Sequence, residues 1–141
     1  MKRFLSISIL CLLSSNLFAQ ADKIIGIWLT EDKGAHVEIY KKGNIYFGKI
    51  VWLKEAINKK TGEAWLDEQN EDKSKRNIAL LGSKMLWNFT FNDNEYVGGK
   101  VYDSRNGKTY KGKLWLENDA ILKMRAYVGI FFSTESWTKV K

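Results

Sequence analysis

The sequence of 141 residues contains no proline, one cysteine and one histidine. Cys11 lies in the first 19 residues, interpreted below as a signal peptide, so we expect a mature protein without disulfides, held together by its core. His36 stands near Glu38 on a predicted strand, and both side chains are expected to face solvent. Zinc needs several Cys or His ligands, and a nucleophilic triad would depend on His36. We therefore expect no metal site, no catalytic residue and no cofactor, and an enzyme is the least favoured function.

The chain also lacks an apolar run long enough to cross a bilayer as a helix, which takes about 20 residues. Its first residues combine a basic start, an apolar run from Phe4 to Leu13 and the small-residue sequence Ala19-Gln20-Ala21. This order is typical of a secretory signal peptide. We predict a signal over residues 1–19, with cleavage after Ala19 or Ala21, and a single domain over 22–141. The protein is then exported from a bacterial cell, to the periplasm or the medium, with no transmembrane segment.

The net charge of the chain is +7. Removing residues 1–19 takes away Lys2 and Arg3 but no acidic residue, which leaves 21 basic and 16 acidic side chains. The lysines are spread along the sequence and do not form the basic block that marks nucleic-acid binding. We expect a solvated surface and no nucleic-acid partner, with at most a weak attraction to anionic surfaces of the envelope.

The remaining sequence is rich in aromatic and β-branched residues, arranged in short runs between Gly, Asn and Asp. Such runs favour strands, and such punctuation favours turns. The predicted strands cover residues 24–30, 36–41, 44–53, 84–91, 95–103, 108–117, 120–128 and 134–140. Apolar and polar residues alternate within them and several connections are short, which predicts antiparallel neighbours around one core. The predicted fold class is all-β, a single antiparallel up-and-down barrel of about eight strands.

A Tyr-x-Gly-Lys pattern occurs in "YFGKIVWL" and "YKGKLWLE", and with one additional glycine in "YVGGKVYD". A phosphate-binding loop would place its glycines at the start of a helix, and no helix is predicted here. Glycine within a strand instead marks a bend or a bulge, which a closed barrel needs. We interpret Gly48, Gly99 and Gly112 as three similar strand bends, with Gly98 in a bulge and the following lysines facing outward.

Residues 54–83 do not alternate and form a long connection after the third strand. Loops of this length in a compact domain are usually functional or disordered. Apolar residues at 65–66 and 78–81 predict that the loop caps one end of the barrel, with a helical turn near 72–76. The acidic residues from Asp67 to Asp72 have no glycine among them and basic residues beside them. A solvated or salt-bridged turn is therefore favoured over a calcium site.

Five stretches together resemble an exported bacterial family known as DUF2147, a domain of unknown function. They are "GIWLTEDKGAHVEIY", "GKIVWL", the spaced Asp67, Asn70 and Arg76 before "LLG", "GGKVYDSRNGKTYKGKL" and "LKMRAYVGIFFSTESWTKV". The resemblance covers nearly all of the mature chain and implies a lipocalin-like (calycin-type) barrel without an established activity. The motif residues, which we expect to be structural, are Gly26, Trp28, Asp67, Asn70, Arg76, Gly82, Asp103, Gly107, Tyr110, Arg125 and Trp137. Positions 71, 77 and 104 lack the prolines usual in the family, which weakens the expectation of a rigid 67–82 segment.

Gly26-Ile27-Trp28 also resembles the Gly-x-Trp opening of lipocalins. There the tryptophan closes one end of the barrel, and a basic side chain of the last strand lies against its ring. We expect Lys139 or Arg125 to take that position through a cation–π contact.

A barrel of eight strands is just wide enough to be filled by its side chains or to hold one small ligand. Met85, Trp87, Phe89 and Phe91 are expected on one face of their strand. The predicted lining of a pocket for a small apolar or amphipathic ligand is Trp87, Phe89, Tyr110, Leu114 and Met124. The same residues suit a filled core, which the short chain slightly favours.

Apolar residues also occur where solvent is expected. Residues 129–132, "GIFF", lie in a predicted turn and could form a lid over the barrel mouth, a lipid contact or a cap folded onto the barrel, of which the cap is favoured. Tyr40, Trp115 and Tyr127 are expected on the outer wall beside lysines. These features support an alternative function, a protein–protein interaction module of the envelope with a filled core. The favoured function is non-catalytic binding by an exported barrel.

Overall fold

The computed structural model describes residues 17–140, and the predicted signal peptide lies mostly outside these residues. The strands are β1 (Gly26–Leu29), β2 (Ala35–Lys42), β3 (Ile45–Leu53), β4 (Lys84–Asn92), β5 (Glu95–Asp103), β6 (Lys108–Asn118), β7 (Ile121–Val128) and β8 (Phe131–Lys139). Each strand pairs antiparallel with the next, and β1 pairs with β8. The predicted up-and-down barrel is therefore confirmed. Among the described residues, no helix has the length and apolar character needed to span a membrane.

The barrel has two unlike ends. One end, called here the filled end, carries the tight turns at 43–44, 93–94 and 119–120 and the residues that precede β1. The other, called the open end, carries the loops 30–34, 54–83, 104–107 and 129–130. The side chains that are buried most completely are Trp28, Trp137, Tyr46, Tyr96, Phe89, Ile24, Ile39, Leu86, Leu114, Leu122 and Val37. Most of them lie in the filled half or the middle of the barrel.

A short 3-10 helix, Asp22–Ile24, closes the filled end. The indole Nε1 of Trp28 donates to the carbonyl of Ile24 at 2.8 Å, and burial of the ring fixes the start of β1 beneath this helix. Lys139 Nζ lies 4.8 Å from the centre of the Trp28 ring. The predicted cation–π contact is thus made by Lys139. Arg125 lies on the outer wall instead, with its guanidinium 4.1 Å from the centre of the Phe132 ring.

The three strand glycines leave space for neighbouring side chains inside the barrel. A Cβ at Gly48 would lie 2.8 Å from Leu86, one at Gly112 would lie 2.5 Å from Val101, and one at Gly99 would overlap the Phe89 ring. The pairing shifts register beside Gly48 and Gly99, whereas it is regular through Gly112. The predicted bulge at Gly98 is confirmed by the register shift between Tyr96 and Gly99, where Gly98 has a φ of 74°. What the three positions have in common is therefore a side chain packed against the glycine, and the strands do not bend in the same way at all of them.

The alternation predicted for β4 is wrong at Trp87. Asn88 has a φ of 63°, so the strand turns locally and both Leu86 and Phe89 point into the core. Trp87 pairs with the exposed Lys100 across β4 and β5, and partners in a pair lie on the same face. Trp87 is therefore on the outer wall. A single residue in the left-handed region has moved the most prominent aromatic of this strand away from the interior.

The long loop packs at the open end, as predicted, and contains a 3-10 turn at Lys73–Lys75. Asp67 is 6% exposed and accepts hydrogen bonds from the Tyr102 hydroxyl at 2.6 Å and from Asn70 Nδ2 at 2.7 Å. Arg76 Nε donates to the carbonyl of Asn70 at 2.7 Å. Gly107, with a φ of 72°, lies so close that a Cβ there would overlap the carbonyl oxygen of Gln69. These contacts join the loop to the turn between β5 and β6 without any proline.

Candidate functional site

A cavity of about 450 Å³ occupies the open end. Its apolar walls come from five of the strands and from the long loop, through Ile50, Leu53, Leu80, Met85, Val101, Met124, Ala126 and Trp137. Polar side chains surround its mouth, among them Thr30, Asp32, Ser83, Asp103, Arg105, Tyr110, Ser133 and Glu135. The core therefore fills only part of the barrel, and the favoured expectation of a wholly filled core is wrong.

The cavity exists because small side chains occupy one inward-facing row. Register pairs Gly99 with Gly112, Gly112 with Ala126, and Ala126 with Ser133, across β5 to β8. Phe89 and Val101 fill the space above the two glycines. The other two positions of the row, Ala126 and Ser133, both line the cavity.

Arg105 and Asp103 form an ion pair at the mouth. Arg105 Nε and Nη2 donate to the two oxygens of the Asp103 carboxylate at 2.8 Å and 2.9 Å. The guanidinium holds the pKa of Asp103 below its usual range, and the carboxylate in turn raises the pKa of Arg105. Asp32, another lining residue, accepts from Thr30 Oγ1 and from the amide of Gly34, and these bonds lower its pKa. All three groups are therefore charged at neutral pH.

Glu135 is the lining carboxylate with hydrogen-bonding capacity to spare. Its Oε2 accepts from the indole Nε1 of Trp137 at 2.8 Å. Within residues 17–140, no hydrogen bond or ion pair reaches its other oxygen. Tyr110 lies on the same mouth, and its hydroxyl accepts from Asn106 Nδ2 at 2.9 Å, which leaves the hydroxyl proton free to be donated. Glu135 and Tyr110 thus give the polar lining a free acceptor and a free donor.

Of the five residues predicted to line a pocket, two line the cavity and three lie elsewhere. Tyr110 and Met124 both line the cavity. Phe89 and Leu114 are fully buried in the packed core. Trp87 lies on the outer wall, with its ring centre 6.5 Å from that of Tyr102. Contact of any of them with a ligand stays a prediction.

Sequence reasoning missed Ala126, Ser133 and Glu135 as lining residues. Alternation along β8 places Ser133, Glu135 and Trp137 on the inner face, and a charged residue at an inward position is the signal that could have identified the mouth. Alternation along β7 places Ala126 on the same face as Leu122 and Met124, but an alanine in that position gives no sign of an empty space beside it.

The other family-motif residues lie in turns, joints and packed positions. Gly26 has a φ of 143° where the chain enters β1, and Gly82 has a φ of 87° with its amide donating to the carbonyl of Ile50 at 2.7 Å. Asp103 accepts from the amide of Arg105 within the turn between β5 and β6. Trp137 is fully buried, and Arg125 Nε donates to Thr134 Oγ1 on the outer wall.

The turn between β7 and β8 does not cap the barrel. Ile130 is 90% exposed, Phe131 73% and Phe132 57%. The favoured interpretation of residues 129–132 as a cap folded onto the barrel is therefore wrong. Val128, at the base of the turn, lines the cavity, so this apolar tip stands beside the mouth.

His36 is not among the residues that line the cavity. Its ring packs against Trp52, with 4.4 Å between ring centres, and Glu38 pairs with Lys49 at 3.1 Å. No group of three or more His, Cys, Asp or Glu side chains in the described part of the chain is arranged to hold a metal ion.

The comparisons with known proteins agree with this architecture. A comparison with curated proteins finds no match. Among solved structures, "Protein HP1028 from the human pathogen Helicobacter pylori", described as belonging to the lipocalin family, has a similar fold. Its TM-score is 0.73 at 20% identity, over 84% of this chain and 83% of that one, which shows a shared fold. The family model described as "Uncharacterized protein conserved in bacteria (DUF2147)" matches residues 26–139, from the first residue of β1 to the last of β8. The chain therefore belongs to the DUF2147 family and has a lipocalin-like barrel.

Proposed function

We propose that this protein is exported and binds one small amphipathic molecule in the open-end cavity, without catalysing a reaction. The observation that carries the proposal is a chamber of about 450 Å³ with apolar walls and a polar mouth. Pockets for small molecules have volumes of roughly 300–1,000 Å³ and the same division of labour, in which apolar walls supply affinity and a few polar groups set orientation. The fold of HP1028, a protein described as a lipocalin, is consistent with this proposal.

The charges at the mouth favour a ligand whose polar end donates hydrogen bonds or carries positive charge. Asp32 and Asp103 are already bonded to turn amides and to Arg105. Glu135 keeps one oxygen available above the Trp137 indole. An ammonium or amide group at this oxygen would leave the hydrocarbon part of the ligand against Met124 and Ala126.

A non-catalytic role is supported by the hydrogen bonds and the ion pair that the carboxylates of Asp32 and Asp103 already form. The lowered pKa values of Asp32 and Asp103 are explained by turn hydrogen bonds and by one ion pair. A general acid or base works best with a pKa near the operating pH, whereas the pKa of each of these carboxylates is shifted down, away from neutrality. The single histidine packs against Trp52 and is not among the lining residues.

If the protein is exported as proposed, the contacts of the first described residues bear on where its signal peptide is cleaved. The carbonyl of Ala21 accepts from the Tyr96 hydroxyl at 2.6 Å, and Ala21 is buried. Cleavage after Ala19 retains this contact, whereas cleavage after Ala21 removes it. We therefore favour a mature chain that begins at Gln20, and the intact mass of the secreted protein would distinguish the two sites.

The cavity can be tested with a neutral fluorescent apolar probe, N-phenyl-1-naphthylamine. Ala126→Trp would fill the chamber, so we expect the saturable fluorescence increase of the wild type to disappear. Ala120→Trp makes the same change at an exposed turn residue and should leave the titration unchanged. Equal probe binding by the wild type and both variants would contradict binding in the cavity.

The polar end can be tested by displacement of the same probe with decylamine and decanoic acid. We expect decylamine to compete better with the wild type, and Glu135→Gln to remove that preference while probe binding persists. Stronger competition by decanoic acid, unchanged in Glu135→Gln, would contradict the assigned head-group chemistry but not the cavity.

A further inference from the structure

Outside the cavity, one row of the outer wall joins basic and aromatic side chains across four strands. Register pairs Lys100 with Lys111, Lys111 with Tyr127, and Tyr127 with Phe132. Partners in such pairs lie on the same face of the sheet. Both lysines are exposed, and neither forms an ion pair within the described part of the chain. The row ends at the β7–β8 turn.

The next row repeats the charge pattern. Register pairs Lys113 with Arg125, and the Arg125 guanidinium lies between two aromatic rings, 5.0 Å from the centre of Trp115 and 4.1 Å from that of Phe132. Lys113 also bonds to Glu95 at 3.0 Å, which offsets part of its charge. Like charges placed directly opposite each other destabilise a sheet. The two opposed pairs therefore point to a role other than holding the barrel together.

The apolar tip at the end of these rows adds a second feature that folding does not explain. Val128, Ile130, Phe131 and Phe132 are each more than half exposed. Burying such side chains would stabilise the fold, yet the turn projects away from the core. Adjacent exposed apolar residues of this kind mark contacts with a protein partner or a membrane.

We infer that this surface, made of the β7–β8 tip and the two basic rows, docks on an anionic lipid bilayer. The tip would enter the interface, the aromatic rings of Tyr127 and Phe132 would lie at head-group level, and the free lysines would face anionic head groups. A bilayer matches both features together, because it presents apolar depth beneath a layer of negative charge. Docking does not depend on the cavity. Where the proposed function also holds, docking brings the mouth beside the bilayer, because Val128 lines the cavity.

The charge requirement is tested by sedimentation of the full mature protein with two kinds of vesicle, phosphatidylcholine alone and phosphatidylcholine with phosphatidylglycerol. We expect binding to the anionic vesicles only, and a loss of roughly tenfold or more in Lys100→Glu/Lys111→Glu. Lys42→Glu/Lys60→Glu changes the net charge equally at exposed positions on β2 and the long loop, away from the patch. This control should bind nearly as well as the wild type.

The apolar requirement is tested with Ile130→Ser/Phe131→Ser, which should lose most of the binding. Ile78→Ser/Leu81→Ser removes two half-exposed apolar side chains from the long loop and should retain it. The inference would be overturned by absence of binding to anionic vesicles or by equal losses in both charge variants, which would indicate diffuse attraction of a basic protein. Unchanged binding by the tip variant would also overturn it. Circular dichroism of each variant would verify the barrel.

Discussion

The filled end and the open end of the barrel are built from the same strands but differ in what occupies them. At the filled end, Tyr46 and Tyr96 are buried and their hydroxyls bond to Asp22 and Ala21 at 2.7 Å and 2.6 Å. Burial raises the pKa of both phenols, so they remain neutral hydrogen-bond donors to alkaline pH. At the open end, the corresponding interior is a cavity. The difference indicates that side chains in one half hold the fold together, while the interior of the other half is left partly unfilled.

The change from filled to open can be followed along one strand. The inward residues of β7 are Leu122, Met124, Ala126 and Val128, in order from the filled end. Leu122 is completely buried, Met124 touches both the core and the cavity, Ala126 lines the cavity and Val128 is exposed at the rim. Period-two alternation is constant over this distance, so the cavity arises from side-chain size and not from a change in backbone geometry.

The largest expected effect is Phe89→Ala in the filled half. This ring is completely buried and occupies the space that Gly99 leaves open, so we expect a loss of about 3–5 kcal/mol in the free energy of unfolding. Met85→Ala, on the cavity wall, should cost less than about 2 kcal/mol because its side chain is only partly buried. Urea unfolding measures both. Equal losses would contradict the contrast between the two ends.

Enlarging a side chain should also destabilise the filled end more than the open end. Gly99→Ala places a Cβ in the Phe89 ring, and we expect a cost of about 1–3 kcal/mol. Ala126→Leu adds more volume but faces the cavity, so its free energy of unfolding should change by less than about 1 kcal/mol. Thermal unfolding of the two variants compares them directly. A greater loss in Ala126→Leu would mean that the open end is packed after all.

A smaller effect is expected at the joint between the long loop and the β5–β6 turn. Gly107→Ala combines a φ of 72° with overlap of the Gln69 carbonyl, and we expect the 54–83 loop to become more sensitive to trypsin. Gly62→Ala has a similar φ of 75° but no atom within 4 Å of the added Cβ. This control should lower the free energy of unfolding by only about 1 kcal/mol and leave trypsin cleavage of the loop unchanged. Identical cleavage of the two variants would show that the contact between Gly107 and Gln69 does not order the 54–83 loop.

The smallest effect concerns acid sensitivity of the filled end. Hydrogen bonds from Lys41 and Tyr46 lower the pKa of Asp22. Its contribution to stability is therefore complete above the unfolded pKa of about 3.9 and is lost as pH falls through the depressed folded value. Asp22→Asn should be less stable than the wild type at pH 7, and the difference should shrink on acidification. If the difference in urea midpoint between Asp22→Asn and the wild type stays constant with pH, ionisation of the Asp22 carboxyl does not contribute to stability.

The fold could be predicted because alternation, turn residues and short connections all indicated one architecture. The bulge at Gly98 followed from the same reasoning. The cation–π contact of Trp28, expected with Lys139 or Arg125 and made by Lys139, was instead implied by the resemblance to lipocalins. Trp87 could not be placed, because one left-handed asparagine reverses the face of its neighbours and asparagine gives only a weak signal for that conformation. The cavity was also beyond sequence reasoning, since it depends on which small side chains meet across four strands.

The most direct test of the division into a filled and an open end is native mass spectrometry of the mature protein, purified from the organism that makes it. The measurement is repeated after mild organic extraction and with Ala126→Trp. We predict a stoichiometric adduct of small mass that is removed by extraction and absent from Ala126→Trp. A clean apo mass in the wild type, or an adduct retained by Ala126→Trp, would contradict binding in the open-end cavity.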